Sequence, residues 1–243
     1  MTAVVLQARL DSSRLPGKAL LPLDGKPLIF RVMEALKTVK ADLHVLASPE
    51  DCALSFTPLA EEAGFVFCSG PKDDVLGRYC GVIRRFNIDR VIRATGDNPF
   101  VFADAAGALN EEAVSLNAAY AGYSGLPYGA GVESVAAWAL LKADAEASKS
   151  APADREGPER EHVCPYLYKH PELFPLHRPL APIHWQGPSL RLTVDTLEDY
   201  KGAVALYAAL SRLTETGFPM GKLPPGARYQ GETIIAACKG MGR

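Results

Sequence analysis

The stretch Gln7-Ala-Arg-Leu-Asp-Ser-Ser-Arg-Leu-Pro-Gly-Lys18 follows directly on the apolar run Val4-Val5-Leu6, so it leaves the end of a predicted first strand. It sets three cations, Arg9, Arg14 and Lys18, around the hydroxyls of Ser12 and Ser13, with a Pro-Gly turn before the lysine. Glycine and small hydroxyl residues let backbone N–H groups approach phosphate oxygens, and the cations offset phosphate charge. The pattern is that of a cradle for a polyanion, and a nucleoside triphosphate is the expected ligand. It is not the P-loop, which needs Gly followed after four residues by Gly-Lys-Ser/Thr and then a helix.

Two isolated carboxylates complete the chemistry. Asp97, in Arg93-Ala-Thr-Gly-Asp97-Asn-Pro, ends a predicted strand at 88–94, and Asp195, in Leu192-Thr-Val-Asp195-Thr-Leu-Glu-Asp199, ends one at 190–195. If those strands are neighbours, their tips lie about 5–10 Å apart. Two hard oxygen ligands facing a triphosphate suit Mg²⁺, which takes one or two carboxylates plus phosphate oxygens. Each aspartate also has a purely local reading: Asp195 suits a helix N-cap, and an Asp before Asn-Pro suits a turn. Their shared placement at strand ends, beside a phosphate loop, favours the metal. Asp199 fits the first turn of the following helix, where it complements the dipole.

The elements that must position these residues alternate between short β-rich runs and longer segments of helical period. That is the mark of a layered α/β domain with a mostly parallel sheet. Strands are predicted at 2–8, 42–48, 65–68, 88–94 and 190–195. Ile29, Val32, Met33, Leu36 and Val39 recur at steps of three and four behind Pro27, predicting a helix over 27–39. Val75, Tyr79, Val82, Ile83 and Phe86 repeat the pattern behind Asp73 and Asp74, which suit a helix N-terminus. The first hundred residues read β-α-β-α-β-α-β. Beyond them come a helix near 102–113, a Gly/Tyr/Pro-rich loop at 120–131, an Ala/Leu helix at 134–145 and a polar surface loop at 144–161. A final helix at 197–214 places Tyr200, Val204, Tyr207 and Leu210 on one face. Ligands of open α/β sheets sit beyond the carboxyl ends of the strands, where 7–18, 93–99 and 193–199 all fall.

The bulk numbers bound the partners. The chain's 243 residues fit one large domain: a nucleotide-binding half at 1–100, an acceptor half at 101–189, and a last metal-ligand strand with C-terminal helices at 190–243. With 26 basic against 28 acidic residues, a nucleic-acid partner is not expected, so any anion site is local. Five scattered cysteines, without a Cys-x-x-Cys pair, indicate neither a disulfide framework nor a zinc knuckle. The run Thr2–Leu6 is too short for a signal-peptide core, and no stretch approaches 18 apolar residues. A soluble protein of the reduced cytoplasm, without a membrane partner, is the expectation.

Gln7-Ala-Arg-x-x-Ser-x-Arg-Leu-Pro-Gly-Lys18, Gly96-Asp97-x-Pro99, Arg160-Glu-His-Val163 and Arg191-Leu-Thr-Val-Asp-Thr-x-Glu-Asp199 together resemble the cytidylyltransferases that make CMP-activated acid sugars. The branch resembled is that of spore-coat polysaccharide biosynthesis protein F, over about residues 3–205. Other sugar nucleotidyltransferases carry Gly-Gly-x-Gly-Thr-Arg instead. The resemblance implies a three-layer α/β/α nucleotidyltransferase fold of the GT-A type, CTP and Mg²⁺ as ligands, and release of pyrophosphate. By matched position it implies that Arg9, Ser13 and Lys18 hold the triphosphate and that Asp97 and Asp195 hold the metal. Gln7, Ala8, Ser12, Arg14, Arg78 and Arg93 are expected beside the nucleotide. Two departures bear on the acceptor: Cys164 stands where Thr is expected, and Gly96-Asp97-Asn98 replaces Thr-Asp-Cys.

The expected chemistry is attack of an acceptor oxygen on the α-phosphorus of CTP, with Arg9 and Lys18 stabilising the leaving pyrophosphate. Arg160 and His162 point to an anionic small-molecule acceptor if they face the site, because an Arg fork pairs carboxylate or phosphate bidentately. The same stretch can be read as no more than a charged helix start. Glu133 could bond sugar hydroxyls or flank a turn. The aromatic 163–185 region, with Tyr166, Tyr168, Phe174 and Trp185, suits a dimer arm or a lid, and the resemblance favours a homodimer. Two other classes share parts of the pattern: a GT-A glycosyltransferase, which normally shows an Asp-x-Asp triplet absent from this chain, and a non-catalytic nucleotide sensor.

Overall fold

The computed structural model describes residues 1–148, 158–216 and 226–242. Residues 149–157 of the predicted polar loop, and 217–225 of the C-terminal part, lie outside the described residues.

In chain order the strands are β1 (Thr2–Gln7), β2 (Pro22–Leu23), β3 (Lys26–Pro27), β4 (Leu43–Pro49), β5 (Val66–Gly70), β6 (Arg90–Thr95), β7 (Tyr120–Ala121), β8 (Glu133–Ala136) and β9 (Leu176–His177). The helices are α1 (Leu28–Lys37), α2 (Ala53–Glu62), α3 (Val75–Phe86), α4 (Ala103–Ser115), α5 (Ala137–Ala147), α6 (Pro158–Glu161), α7 (Pro165–Lys169), α8 (Leu197–Thr216) and α9 (Gly231–Gly240). A seven-stranded sheet has the order β5-β4-β1-β6-β8-β7-β9, and β2 and β3 form a separate small hairpin. β8 pairs antiparallel with both its neighbours, while β1, β4, β5 and β6 are parallel.

Strand alternation makes this a three-layer α/β/α fold. Val4 and Leu6 of β1 face the core shared with α1, α2, α4 and α8, whereas Ala3 and Val5 face the one shared with α3, α5 and α7. Leu28, Ile29, Val32, Met33 and Leu36 of α1 are fully buried. Each such side chain stabilises the fold by about 1.5–3 kcal/mol. Asp74 caps α3, its Oδ1 accepting from Gly77 N at 2.8 Å, and Asn87 closes the helix in a left-handed conformation. α2 carries Pro58 in its interior.

The chain folds back on the sheet in opposite directions from β1, through β4 on one side and β6 on the other. That reversal opens a crevice beyond the carboxyl ends of β1 and β6, where ligands bind in such sheets. Gln7 and Thr95 end the two strands in register, and Gly96 N donates to Gln7 O at 2.8 Å. The cradle and the Asp97 loop therefore leave the sheet side by side.

Two expectations need correction. The segment 190–195 is not a sheet strand: it holds an isolated bridge from Arg191 to Tyr128, and Val194 N donates to Asp97 O at 2.8 Å. Its apolar alternation is real, since Leu192 and Val194 are buried, but its backbone partners are loops. The segment 134–145 divides into β8 and α5 at Ala136–Ala137, because Ser134 and Val135 pair with β6 and β7. The aromatics of 163–185, expected as a dimer arm or a lid, pack largely inward within the chain. Phe174 is fully buried and stacks on Trp138, and Trp185 Nε1 donates to Asp104 at 2.9 Å.

Candidate active site

A cleft of about 460 Å³ opens at this reversal, lined by the cradle, by Arg78, Arg93, Asp97 and Asp195, and by Glu161 and His162. Gln7, Ala8, Arg9, Ser12, Ser13, Arg14 and Lys18 all reach it. The cradle is closed at its base by Gly17 N on Leu10 O at 3.1 Å. Lys18 N donates to Leu15 O at 3.2 Å across Pro16-Gly17, with Gly17 at φ 68. Pro followed by a left-handed residue is the type II turn, for which glycine is the favoured third residue. The turn aims Lys18 into the cleft.

There Lys18 Nζ lies 3.2 Å from Asp97 Oδ2, 3.0 Å from Asp195 Oδ1 and 2.7 Å from Val194 O. Arg14 adds a contact of 2.9 Å to the same Asp195 oxygen, and Arg191 Nη2 donates to the other at 2.8 Å. Asp195 reaches this point through the loop pairing of Val194 with Asp97. It also depends on the close approach of Gly129, where a Cβ would stand 2.6 Å from Thr193 N. α8 then starts with a capping box: Thr196 Oγ1 accepts from Asp199 N, and Asp199 Oδ2 accepts from Thr196 N and Asp195 N at 3.0 Å. Arg191 above all, and these N–H groups, hold the Asp199 carboxyl well below the usual carboxylate range.

The two carboxylates fit a divalent ion. A single cation, the Lys18 ammonium, already reaches both, so their oxygens converge on one point. Among the described residues no third His, Cys, Asp or Glu joins them. A two-carboxylate set leaves the remaining positions to water and phosphate, which is how Mg²⁺ is held at nucleotides.

Arg93 and Glu133 are brought together on adjacent strands. Arg93 Nε donates to Gln7 Oε1 at 3.2 Å, and its Nη1 pairs with Glu133, whose Oε1 accepts from Tyr120 at 2.9 Å and from Tyr168. Burial alone would raise the Glu133 carboxyl, but the Arg93 charge and these hydroxyls hold it below its ordinary value. Glu133 is therefore an anchor for Arg93, and through it for Gln7, rather than a turn flank. Cys164 lies beneath, 3.6 Å from Glu133, its thiol pushed well up by burial. Arg78 is buried on the cleft wall, donates to Pro71 O at 2.8 Å and keeps an Nε with no hydrogen-bond partner among the described residues.

Arg160 goes elsewhere. Its guanidinium meets Asp74 at 2.7 Å, Asp144 at 3.1 Å and Ser148 at 2.7 Å, tying α6 to α3 and α5. It lies off the main cleft, whereas exposed His162 lines it. Val163, between them and Cys164, is buried at φ 70, a conformation that costs a β-branched residue about 1–3 kcal/mol. No local pattern assigns a role to Arg191, which the structure sets on Asp195 and Asp199, or to Tyr128 and Thr193, which line the cleft. The motif around Asp195 includes Arg191, whereas Tyr128 is positioned by a long-range bridge that no local pattern shows.

An open α/β sheet with a cationic cradle and a two-carboxylate point at its reversal defines a nucleotidyltransferase. A family model for cytidylyltransferases matches residues 3–217. The spore coat polysaccharide biosynthesis protein SpsF of Bacillus subtilis is 31% identical over 209 residues, 84% of this chain and 85% of that protein. A solved cytidylyltransferase from Leptospira borgpetersenii superposes with a TM-score of 0.75 at 23% identity, covering 92% of this chain and 97% of that one. A CMP:2-keto-3-deoxy-manno-octonic acid synthetase solved with CTP superposes with a TM-score of 0.64 at 18% identity, covering 85% and 98%. The chain belongs to the cytidylyltransferase family, the group of CMP-acid-sugar synthetases that its motifs resemble. Among the described residues no helix is long and apolar enough to cross a membrane.

Proposed function

We propose that this enzyme transfers CMP from CTP to an anionic sugar or related acid acceptor, with Mg²⁺, releasing pyrophosphate. The observation that carries the reading is the Lys18 ammonium between Asp97 and Asp195: a cation binding point at the mouth of a phosphate cradle. The B. subtilis relative's name supports a role in making precursors of surface polysaccharide, and the synthetase solved with CTP supports that nucleotide. The cytoplasm, where CTP is made, is the proposed site of action.

In this reading Arg9, Ser12 and Ser13 cradle the β- and γ-phosphates, and Arg78 offers its spare donor to the nucleotide. Asp97 and Asp195 would hold the metal, which would polarise the α-phosphoryl group and neutralise phosphate charge. Lys18, at the mouth of the cradle, pairs with the leaving pyrophosphate. An acceptor oxygen forms the new bond to the α-phosphorus, and the α–β bridging bond breaks with its electron pair leaving on pyrophosphate. Positioning and charge neutralisation supply most of the acceleration. A phosphate or phosphonate oxygen needs no base, whereas a sugar hydroxyl gives up a proton in the step. Residues 1–100 form the nucleotide half in this reading, 101–189 the acceptor half, and 190–243 contribute the second carboxylate.

The test is pyrophosphate release from each nucleoside triphosphate against a panel of acid sugars, sugar phosphates and phosphonates. Release from CTP with an acid supports the reading. Free CMP or UDP released from a nucleotide sugar would make the protein a glycosyltransferase instead.

A further inference from the structure

A second cavity of about 350 Å³ adjoins the nucleotide cleft, sharing Arg93, Thr95, Asn98, Tyr128 and Gly129 with it. It lies beyond the carboxyl ends of β6, β7 and β9 and the first residue of β8, on the ligand side of the sheet. Its size falls within the range of small-molecule sites. Three charged residues line it: Arg93, Glu133 and Arg178. The first two are bound to each other. Arg178, the residue after β9, is exposed, and no carboxylate among the described residues lies within ion-pair distance of it. Its guanidinium sits 5.4 Å over the ring of Tyr168, whose hydroxyl donates to Glu133.

We infer that Arg178 is the residue that reads the acceptor's anionic group and selects acids over neutral sugars. This rests on the function proposed above and deepens it. The Arg93–Glu133 pair leaves the cavity floor without net charge, so Arg178 supplies the whole of its positive charge. A guanidinium held over an aromatic ring leaves its edge donors free for bidentate recognition of a carboxylate. Arg160, the arginine that sequence spacing offers for this task, has its fork occupied by Asp74 and Asp144. The chain Arg178, Tyr168, Glu133, Arg93, Gln7 further links the acceptor cavity to the nucleotide cleft, so that both substrates are placed against one rigid floor.

The experiment measures initial rates of pyrophosphate release from CTP with 3-deoxy-manno-octulosonate, N-acetylneuraminate and their analogues bearing CH₂OH in place of the carboxylate. The wild-type protein is compared with Arg178→Met and Arg178→Lys. Loss of one charge-assisted contact raises the acceptor KM of Arg178→Met by at least about tenfold. The KM for CTP and the melting temperature stay at the wild-type values, the lysine variant recovers part of the loss, and preference for acid over alcohol collapses. An unchanged acceptor KM and acid preference in Arg178→Met, beside an active wild-type protein, would overturn the assignment alone. A wild-type protein that releases no pyrophosphate with any acid would overturn the assignment together with the function it rests on.

Discussion

Lys18 Nζ stands 3.0 Å from Asp195 Oδ1 while also touching Asp97, so one ammonium spans two carboxylates that come from loops nearly a hundred residues apart. In the proposed reaction the lysine has two sets of partners, these carboxylates and the leaving phosphates. Replacing it therefore has opposite effects on two measurements. Lys18→Met lowers turnover by about 100-fold or more, the scale of losing one electrostatic stabiliser. In Mn²⁺ titrations of the nucleotide-free protein followed by electron paramagnetic resonance, the same variant binds the ion more tightly. Weaker Mn²⁺ binding would show that Lys18 does not compete for the carboxylates.

Asp97→Asn and Asp195→Asn each lose at least about 100-fold in rate. Unlike Lys18→Met, both weaken Mn²⁺ binding in the same titration. Near-normal turnover in both variants would end the assignment of the metal to these residues.

Arg160 separates a structural from a binding role. Because its guanidinium ties Asp74 and Asp144 together, Arg160→Met costs about 1–3 kcal/mol in denaturant unfolding, the scale of lost hydrogen bonds to charged groups. The acceptor KM stays near the wild-type value. A rise of tenfold or more in that KM, with stability intact, would return Arg160 to the site.

Asp199 governs an acid limb of stability. Arg191 and the N–H groups at the start of α8 depress its folded pKa, so its contribution is complete above the unfolded value of about 3.9 and is lost as pH falls through the folded one. Glu133, depressed by Arg93 against its own burial, acts in the same direction. Thermal melts from pH 7 down to pH 3 therefore show the wild-type protein losing stability below about pH 4. Asp199→Asn starts less stable at neutral pH and has a shallower acid limb. Equal acid limbs in the two proteins would contradict the capping role.

Much of the first hundred residues was legible because its signals are local. Apolar period marked β1, α1 and α3, Asp74 marked a helix start, and Pro16-Gly17 marked the turn that aims Lys18. Pairings between distant segments were not. Leu190 to Val194 alternates like a strand, yet its backbone bonds go to Tyr128 and Asp97, and it was this loop pairing, rather than adjacent strands, that brought Asp195 to Asp97. Strands β7 and β9, with two residues each, are too short to leave a period. Arg178 carried no motif. Its significance comes from what surrounds it: a neutralised floor, an aromatic ring beneath it and, among the described residues, no carboxylate within ion-pair distance.

The decisive measurement incubates the purified protein with CTP, 3-deoxy-manno-octulosonate or N-acetylneuraminate, and Mg²⁺, and follows pyrophosphate together with the CMP-linked acid. Both products form in equal amounts, depend on acceptor and metal, and are lost on chelation or in Asp97→Asn. Pyrophosphate formed without a CMP-linked product, or turnover unaffected by removing the metal, would contradict the proposed transfer.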